Sequence, residues 1–386
     1  MTAQLVATDA VIATSPITTA APPTNEINNV YIGSLHSGHT RISDGQLHPE
    51  EFYPTFKRIW DWVSTTDHDY LIDAAEWERT IRSSDTNNAG FVSLVGYEWT
   101  SSDWGHISVV FKGVPPSKDG GLADSRKQAY DSPHKLYDFL RMGNGLAAFA
   151  HPALRGCGVD FSRDMSYRDD DIAPLVGLFG DDDTNHWNAT YDYSDGTEVP
   201  AVPVGRGNVS GWIKSALDRG YHLGFVGELD MHGREIDAKS YRYTGIVAGA
   251  LTRDGIFEGL SKRHTYAVRS PSGLGRRILI RAEARKHLMG DAFSSHSNRL
   301  EVVLRGTTDL ESFSAVNVFV NGQIVESRSL SGQKLSEDFA VDLPRHDNYT
   351  FFEVKATAAN GDVSQAITSP MYVTVEPPQI AVDLGN

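Results

Sequence analysis

Val30-Tyr31-Ile32-Gly33-Ser34-Leu35-His36-Ser37-Gly38-His39-Thr40-Arg41-Ile42-Ser43-Asp44-Gly45 opens with an apolar, strand-like run and passes at once into two histidines and an aspartate. Imidazole and carboxylate together suit divalent transition metals. Further along the chain come Thr66-Asp67-His68-Asp69, Glu98 with His106, His151-Pro152 and Asp230-Met231-His232. Most of these segments follow a strand-like run. In folds that alternate strands and helices, functional residues gather at the carboxyl ends of the strands. The pattern predicts an α/β fold carrying a multi-metal catalytic centre on the ends of many strands.

The spacing of apolar residues supplies the elements. Phe52, Phe56, Ile59, Trp60 and Val63 recur at helical spacing over 50–63, and 74–82 also reads as a helix. Phe91 to Val95 is a short apolar strand that delivers Glu98, and 106–111 is a strand that starts at His106. Residues 133–142 read as a helix and 145–150 as a buried strand ending at His151. Residues 209–219 read as a helix stopped by Gly220, and 223–226 as a strand ending near Asp230. Alternation of this kind argues for parallel strands. From about Arg276 the character changes. Val316 to Val325 reads as a hairpin turning at Asn321-Gly322, and 339–343, 349–356 and 371–375 add alternating strands. The expected division is a poorly ordered tail over 1–28, an α/β domain carrying the metal-ligand segments over 29–275, and an antiparallel β-sandwich over 276–386.

Composition narrows the function classes. The chain has 386 residues, room for a large core, and a formal net charge of −15 with no basic run, which argues against nucleic acid as a partner. No apolar run is long enough to span a membrane. The first residues lack a basic segment followed by a continuous apolar one, so no secretory signal is read, and a cytoplasmic location is expected. Cys157 is the sole cysteine, which excludes an intrachain disulfide and fits a reducing compartment. It reads as a small buried residue before it reads as a soft metal ligand.

Taken in order, His36 with His39-Thr40 and Ser43-Asp44-Gly45, Thr66-Asp67-His68-Asp69, Gly96-Tyr97-Glu98-Trp99 with Gly105-His106, Ala150-His151-Pro152 and Asp230-Met231-His232 resemble the motifs of the polymerase-and-histidinol-phosphatase (PHP) superfamily. Gly96-Tyr97-Glu98-Trp99-Thr100 and Ala250-Leu251-Thr252-Arg253-Asp254, continuing to Arg263-His264-Thr265-Tyr266, resemble its carbaryl-hydrolase-like branch. The resemblance implies a distorted (β/α)7 barrel with two or three divalent ions, zinc, manganese or iron, in its mouth. It implies that His36, His39, Glu98 and Asp230 hold one ion. Glu98 would bridge to a second ion on His106 and His151, and Asp44, His68 and His232 would hold a third. The superfamily spaces its first two histidines as His-x-His, whereas here they are His36-Ser37-Gly38-His39. On a regular strand, residues three apart face opposite sides. We therefore expect a bulge at Ser37-Gly38, with Gly38 supplying the unusual backbone angle.

A lone histidine is usually a hydrogen-bonded or surface residue, and His48, His134, His222, His264, His287, His296 and His346 are read so. Asp67 reads as orienting a ligand or a turn. Arg41, Arg155 and Arg234 lie near ligand segments, where they would clamp an anionic group or form ordinary salt bridges. Trp99, Trp104 and Trp187 would line an apolar pocket or join the core. Substrate contact is assigned to Arg155, Arg234, Trp104 and His186, and catalysis to Glu98, His68 and His151. The leading expectation is a metal-dependent hydrolase that uses a metal-bridging hydroxide to cleave a small-molecule phosphoester. Hydrolysis of a carboxylic ester, amide or aryl carbamate at the same centre is the alternative within that class. A non-catalytic metal- or carbohydrate-binding protein is the alternative outside it.

Overall fold

The structure is a computed structural model that describes residues 27–113, 122–154, 157–163, 168–180, 187, 212–236, 241–271 and 273–377. Its first part runs β1 (Val30–Ser34), α1 (Pro49–Phe56), β2 (Trp62–Ser64), α2 (Ala74–Thr86), β3 (Val92–Ser101), β4 (Gly105–Phe111) and α3 (Pro133–Gly143). It continues through β5 (Gly145–Phe149), β6 (Leu175–Phe179), α4 (Ile213–Asp218), β7 (Gly224–Gly227), β8 (Arg242–Val247), α5 (Arg253–Ser261) and β9 (Thr265–Arg269). Asp73 caps α2, accepting a bond from the Glu76 amide, while the Glu76 carboxylate accepts one from Asp73 N–H. Asn144 closes α3 in the left-handed conformation.

The helix expected over 50–63 is shorter. It starts with Pro49 at its first turn, stops at Phe56, and gives way to β2. Trp62 and Val63 pair in parallel with Gly33 and Ser34. Asp61, just before them, accepts a bond from Ile32 N–H at 2.8 Å and pairs with Arg277 at 2.9 Å. These sheet contacts override a spacing that by itself fits a helix.

The strands are mixed in direction. β1–β2, β2–β3, β5–β6 and β6–β7 are parallel, but β3–β4, β4–β5, β1–β8 and β8–β9 are antiparallel. The expectation of parallel strands fails first at β3–β4, where only Ser102-Asp103-Trp104 intervene. A parallel crossover needs a dozen or more residues, so so short a link makes a hairpin. This reversal has a functional consequence. The start of β4 lies at the same end of the sheet as the ends of β3 and β5.

The ladder order β8-β1-β2-β3-β4-β5-β6-β7 leaves β7 and β8 without a ladder to each other among the described residues. They meet instead through the Thr244 hydroxyl, which accepts from Gly227 N–H at 3.0 Å and donates to Gly227 O at 3.1 Å. The closed barrel implied by the resemblance is therefore not completed by backbone pairing among the described residues.

The remaining strands are β10 (Ile278–Ala284), β11 (His287–Leu288), β12 (Ala292–Ser295), β13 (Arg299–Thr308), β14 (Ser312–Val320), β15 (Gln323–Ser329), β16 (Lys334–Asp342), β17 (Asp347–Thr357), β18 (Val363–Thr368) and β19 (Met371–Val375). The expected hairpin is β14–β15, and Asn321 and Gly322 at its turn both have positive φ, 49° and 77°. β11, β10, β13 and β16 form a separate sheet. Phe339 of β16 packs on Phe352 of β17, ring centroids 5.2 Å apart, a contact between facing sheets. The other C-terminal strands continue the large sheet, because β18 pairs with β9. One hydrophobic core runs from Val30 and Tyr243 through Ile280 to Phe352 and Val354. Among the described residues no helix is long and apolar enough to cross a membrane.

Candidate metal centre

The ligand-rich segments converge at one end of the large sheet. His36 and His39 lie just beyond β1, His68 beyond β2, Glu98 within β3, His106 at the start of β4, His151 beyond β5, and Asp230 and His232 beyond β7. The expected bulge is not what brings the first two histidines together. β1 ends at Ser34, and the segment after it makes a short parallel bridge with Met231. His39 N–H donates to Met231 O at 2.9 Å, Met231 N–H to Ser37 O at 3.1 Å, and Thr66 N–H to Gly38 O at 3.1 Å. Freed from the strand, the two side chains are not bound to alternate. Gly38 does carry the unusual angle, φ 150°, and a Cβ there would drive into the Met231 backbone.

Asp67 fastens the next turn. Its carboxylate accepts bonds from Thr40 N–H (2.6 Å), the Thr40 hydroxyl (2.8 Å) and the Ser43 hydroxyl (2.8 Å). Ser43 Oγ is also 3.1 Å from His39 Nδ1, so Asp67 orients both the turn and, through Ser43, a candidate ligand.

Glu98 is buried at the centre and its two oxygens face different imidazoles. Oε1 lies 3.0 Å from His106 Nδ1, 3.2 Å from His151 Nε2 and 3.8 Å from His36 Nε2. Oε2 lies 2.8 Å from His68 Nδ1 and 3.9 Å from His39 Nε2. Asp230 Oδ1 is 2.9 Å from His39 Nε2 and 3.0 Å from His36 Nε2. Asp44 gathers the outer group, 3.0 Å from His39 Nδ1, 3.5 Å from His68 Nε2 and 3.4 Å from His232 Nε2. Exposure rises outward. The side chains of His36, Glu98 and Asp230 form a buried floor, His68 and His106 are 13% and 16% exposed, and His232 and Asp44 are 41% and 47% exposed.

The ion pairs described for Glu98, Asp230 and Asp44 are with imidazoles. Burial opposes ionising Glu98 and Asp230, yet the neighbouring histidines hold both well below the usual carboxylate range. Burial likewise opposes a proton on His39, but Asp230 and Asp44 outweigh it and push the group up to about 10. His36 is raised against burial by Asp230 and Glu228, whereas burial dominates at His106 and lowers it. The floor is thus a field that demands positive charge.

The donor set fits divalent cations on a second observation. Among the described residues, neither ring nitrogen of fully buried His36 makes an aligned hydrogen bond, although Asp230 and Glu228 lie 3.0 and 3.5 Å away, and neither His151 Nδ1 nor Glu228 Oε1 has a hydrogen-bond partner. Orphaned buried polar atoms are costly, and several at one place call for an electrophile. Among the described residues, four sets of donors lie within 4.8 Å of one another: His36, His39 and Asp230; His36, Glu98 and His151; His39, Asp44, His68 and His232; and His106, His151 and Cys157. All four overlap the sets implied by the resemblance, with His39 joining the outer one and Cys157 joining His106 and His151. His151 and Asp230 both have positive φ, 28° and 49°. Non-glycine residues held in this region often mark functional sites.

Glu228 is a component that the sequence reading missed. It directly follows β7, is buried, accepts a bond from His151 N–H at 2.8 Å, and lies 3.5 Å from His36 Nδ1. The signal was present in Glu228-Leu229-Asp230, two carboxylates at a strand end. Gly177 makes the room, since a Cβ there would meet the Glu228 carboxylate.

The residues assigned to substrate contact fare differently. Arg155 and His186 lie outside the described residues. The Arg234 guanidinium donates to Gln46 O at 3.1 Å and to Glu51 Oε1 at 3.0 Å, an ordinary tie between the segment after β7 and α1. Trp104 is half-buried beneath the Arg163 guanidinium, 4.2 Å from its ring centroid. Trp99 and Trp187 belong to the core, Trp187 packing on Phe225 and Phe351.

No family model matches the chain, and no curated protein matches it, so sequence comparison lends no support to the carbaryl-hydrolase-like branch. Among solved structures, the chain is similar to the lesion-specific endonuclease PfuEndoQ from Pyrococcus furiosus, with 11% identity and a TM-score of 0.40. That match covers 60% of this chain and 56% of the endonuclease, so the chain spans little more than half of that protein's length. The fibronectin(III)-like modules of Clostridium thermocellum CbhA match 26% of this chain and 99% of theirs, with 14% identity and a TM-score of 0.18. At these scores neither likeness fixes the fold or the activity.

Proposed function

We propose that the chain is a metal-dependent hydrolase that cleaves a phosphoester bond in a small molecule. The observation that carries this reading is the divided facing of Glu98, one oxygen toward His36, His106 and His151 and the other toward His39 and His68. A carboxylate has two oxygens to share between neighbouring ions, whereas one imidazole nitrogen serves one. When bound, two or three divalent ions would supply hydroxide at neutral pH and neutralise charge on a phosphoryl oxygen.

The chain's own residues support the other requirements. His36, Glu98, Asp230 and Glu228 form a buried floor that fixes the donors. Asp67 and Ser43 hold the His39 ring, and Thr100 Oγ1, 2.8 Å from His68 Nδ1, fixes that ring beside Glu98. The exposed rim at Asp44 and His232 leaves the outer side accessible. A structural metal site is closed, whereas a catalytic one keeps an open position, so the rim favours catalysis over a purely structural centre.

The test is hydrolysis of p-nitrophenyl phosphate beside a naphthyl N-methylcarbamate by manganese-, zinc- or iron-loaded protein, with a chelated control. Chelator-sensitive release of phosphate is the expected result. Carbamate cleavage alone would move the substrate to an acyl carbon, and activity on neither in any loaded form would contradict the proposal.

A further inference from the structure

Cys157 occupies a place that the hydrolase reading leaves unused. It is the only cysteine of the chain and is half-buried. Its thiol, a ring nitrogen of His106 and a ring nitrogen of His151 all lie within 4.8 Å of one another. A tetrahedral zinc with bonds of about 2.0–2.3 Å sets its donors roughly 3.3–3.8 Å apart, so small movements would close these three on one ion.

The backbone holds the thiol there. His106 N–H donates to Cys157 O at 2.9 Å, which lays the cysteine against the first turn of β4. Leu154 N–H donates to His151 O, Gly158 N–H to Leu154 O and Val159 N–H to Pro152 O, folding the segment after β5 back on itself. Gly105, with φ 83°, permits the approach, because a Cβ there would strike the Gly158 carbonyl. A second observation points to a ligand. His151 is buried with Nε2 committed to Glu98, while its Nδ1 has no hydrogen-bond partner among the described residues.

We propose that Cys157, His106 and His151 form a nitrogen–sulfur subsite at one edge of the metal centre, which takes zinc in preference to manganese. This rests on the metal-dependent reading above and deepens it. The other donor sets contain only imidazole and carboxylate, which suit zinc, manganese and iron alike. A thiolate is soft and selects zinc, whereas manganese favours oxygen. One sulfur therefore gives the centre a preference that its remaining ligands do not.

Because the chain has a single cysteine, thiol chemistry reads this site alone. The full chain is loaded with zinc or with manganese, its bound metal is measured by elemental analysis, and the rate of modification by a thiol reagent is compared with chelated protein. Zinc is expected to slow modification, because a thiolate held by the metal is no longer free as a nucleophile, and manganese to leave it nearly unchanged. Cobalt-loaded protein is expected to show a near-ultraviolet thiolate-to-cobalt band that Cys157→Ser lacks. Equal modification rates with zinc demonstrably bound, or a cobalt spectrum unaltered in Cys157→Ser, would overturn the subsite and leave the hydrolase reading standing. Failure of the wild-type chain to bind any of the three metals would overturn both. Should Cys157→Ser fail to fold, the wild-type modification rates decide.

Discussion

Glu98 and Gly38 show at the level of single residues how the centre is made. Glu98 is buried with five imidazoles around it, and removing it would leave those rings without their common partner. Substituting Glu98, His68 or His151 by Ala is expected to lower kcat by at least about 100-fold while far-ultraviolet circular dichroism stays unchanged, since catalytic groups of this kind contribute on that scale. Activity near wild type in all three would refute the site. Gly38 acts through the backbone. Gly38→Ala must force a side chain into the Met231 backbone at a φ that L-residues avoid, at a cost of about 1–3 kcal/mol read from urea denaturation. Much at this scale was legible in the sequence. His36, His39, His68, Glu98, His106, His151, Asp230 and His232 stand out because metal chemistry limits the residue types, and strand ends limit where they fall. Glu228 did not stand out, because Asp230 beside it drew the ligand assignment and the burial of Glu228 depends on Gly177, far away in the chain. Cys157 was placed as packing for a similar reason. Only the folded β4 and the turn after β5 show that its thiol and two imidazoles share one space.

Elements reveal a different boundary between what sequence carries and what tertiary contact adds. The strands β3, β5, β7, β14, β17 and β19 were readable from apolar runs and alternation, and α2 and α3 from their spacing. The segment 57–64 was not, because Ile59, Trp60 and Val63 fit a helix as well as a strand. Pairing of Trp62 and Val63 with β1, together with the Asp61–Arg277 ion pair, decides it. Strand direction was partly legible. The three-residue link between β3 and β4 forces a hairpin, and this antiparallel step is what sets His106 beside Glu98. The junction of β7 and β8 rests on the Thr244 hydroxyl and on Arg242 Nε, which donates to Glu228 O at 3.1 Å. Thr244→Val keeps the shape but loses both bonds to Gly227, and is expected to cost about 1–2 kcal/mol. Amide hydrogen exchange should quicken in β7 and at the Asp230 segment that follows it. Exchange no faster than in the wild type would show that the two strands are held by other means.

Across the whole molecule, the large sheet passes through the boundary expected near residue 276 by the β9–β18 ladder, and one core lies on both sides of it. The sequence marked the change in character there, but a change in strand pattern does not show which sheet the later strands join. Glu353 is a buried carboxyl in this C-terminal part, away from the metal centre. Burial pushes the Glu353 carboxyl up to about 7, although Asn317 and Gln365 donate to it and Lys355 lies 3.9 Å away. The unfolded chain ionises this group near 4.5, so between 4.5 and about 7 the folded state binds the extra proton and its stability falls as pH rises. Relative to wild type, Glu353→Gln is therefore expected to gain about 3 kcal/mol across that window and to change little outside it. A difference in stability that does not vary with pH would remove Glu353 as a titrating group.

The central claim is that the histidine–carboxylate cluster is a multi-metal centre, and metal content tests it most directly. Elemental analysis of the wild-type chain, after loading and removal of free metal, should find two or three divalent ions per chain, with Glu98→Ala losing most of them while remaining folded. A folded wild-type chain that retains no divalent ion, or a Glu98→Ala chain that retains as many as the wild type, would contradict the account.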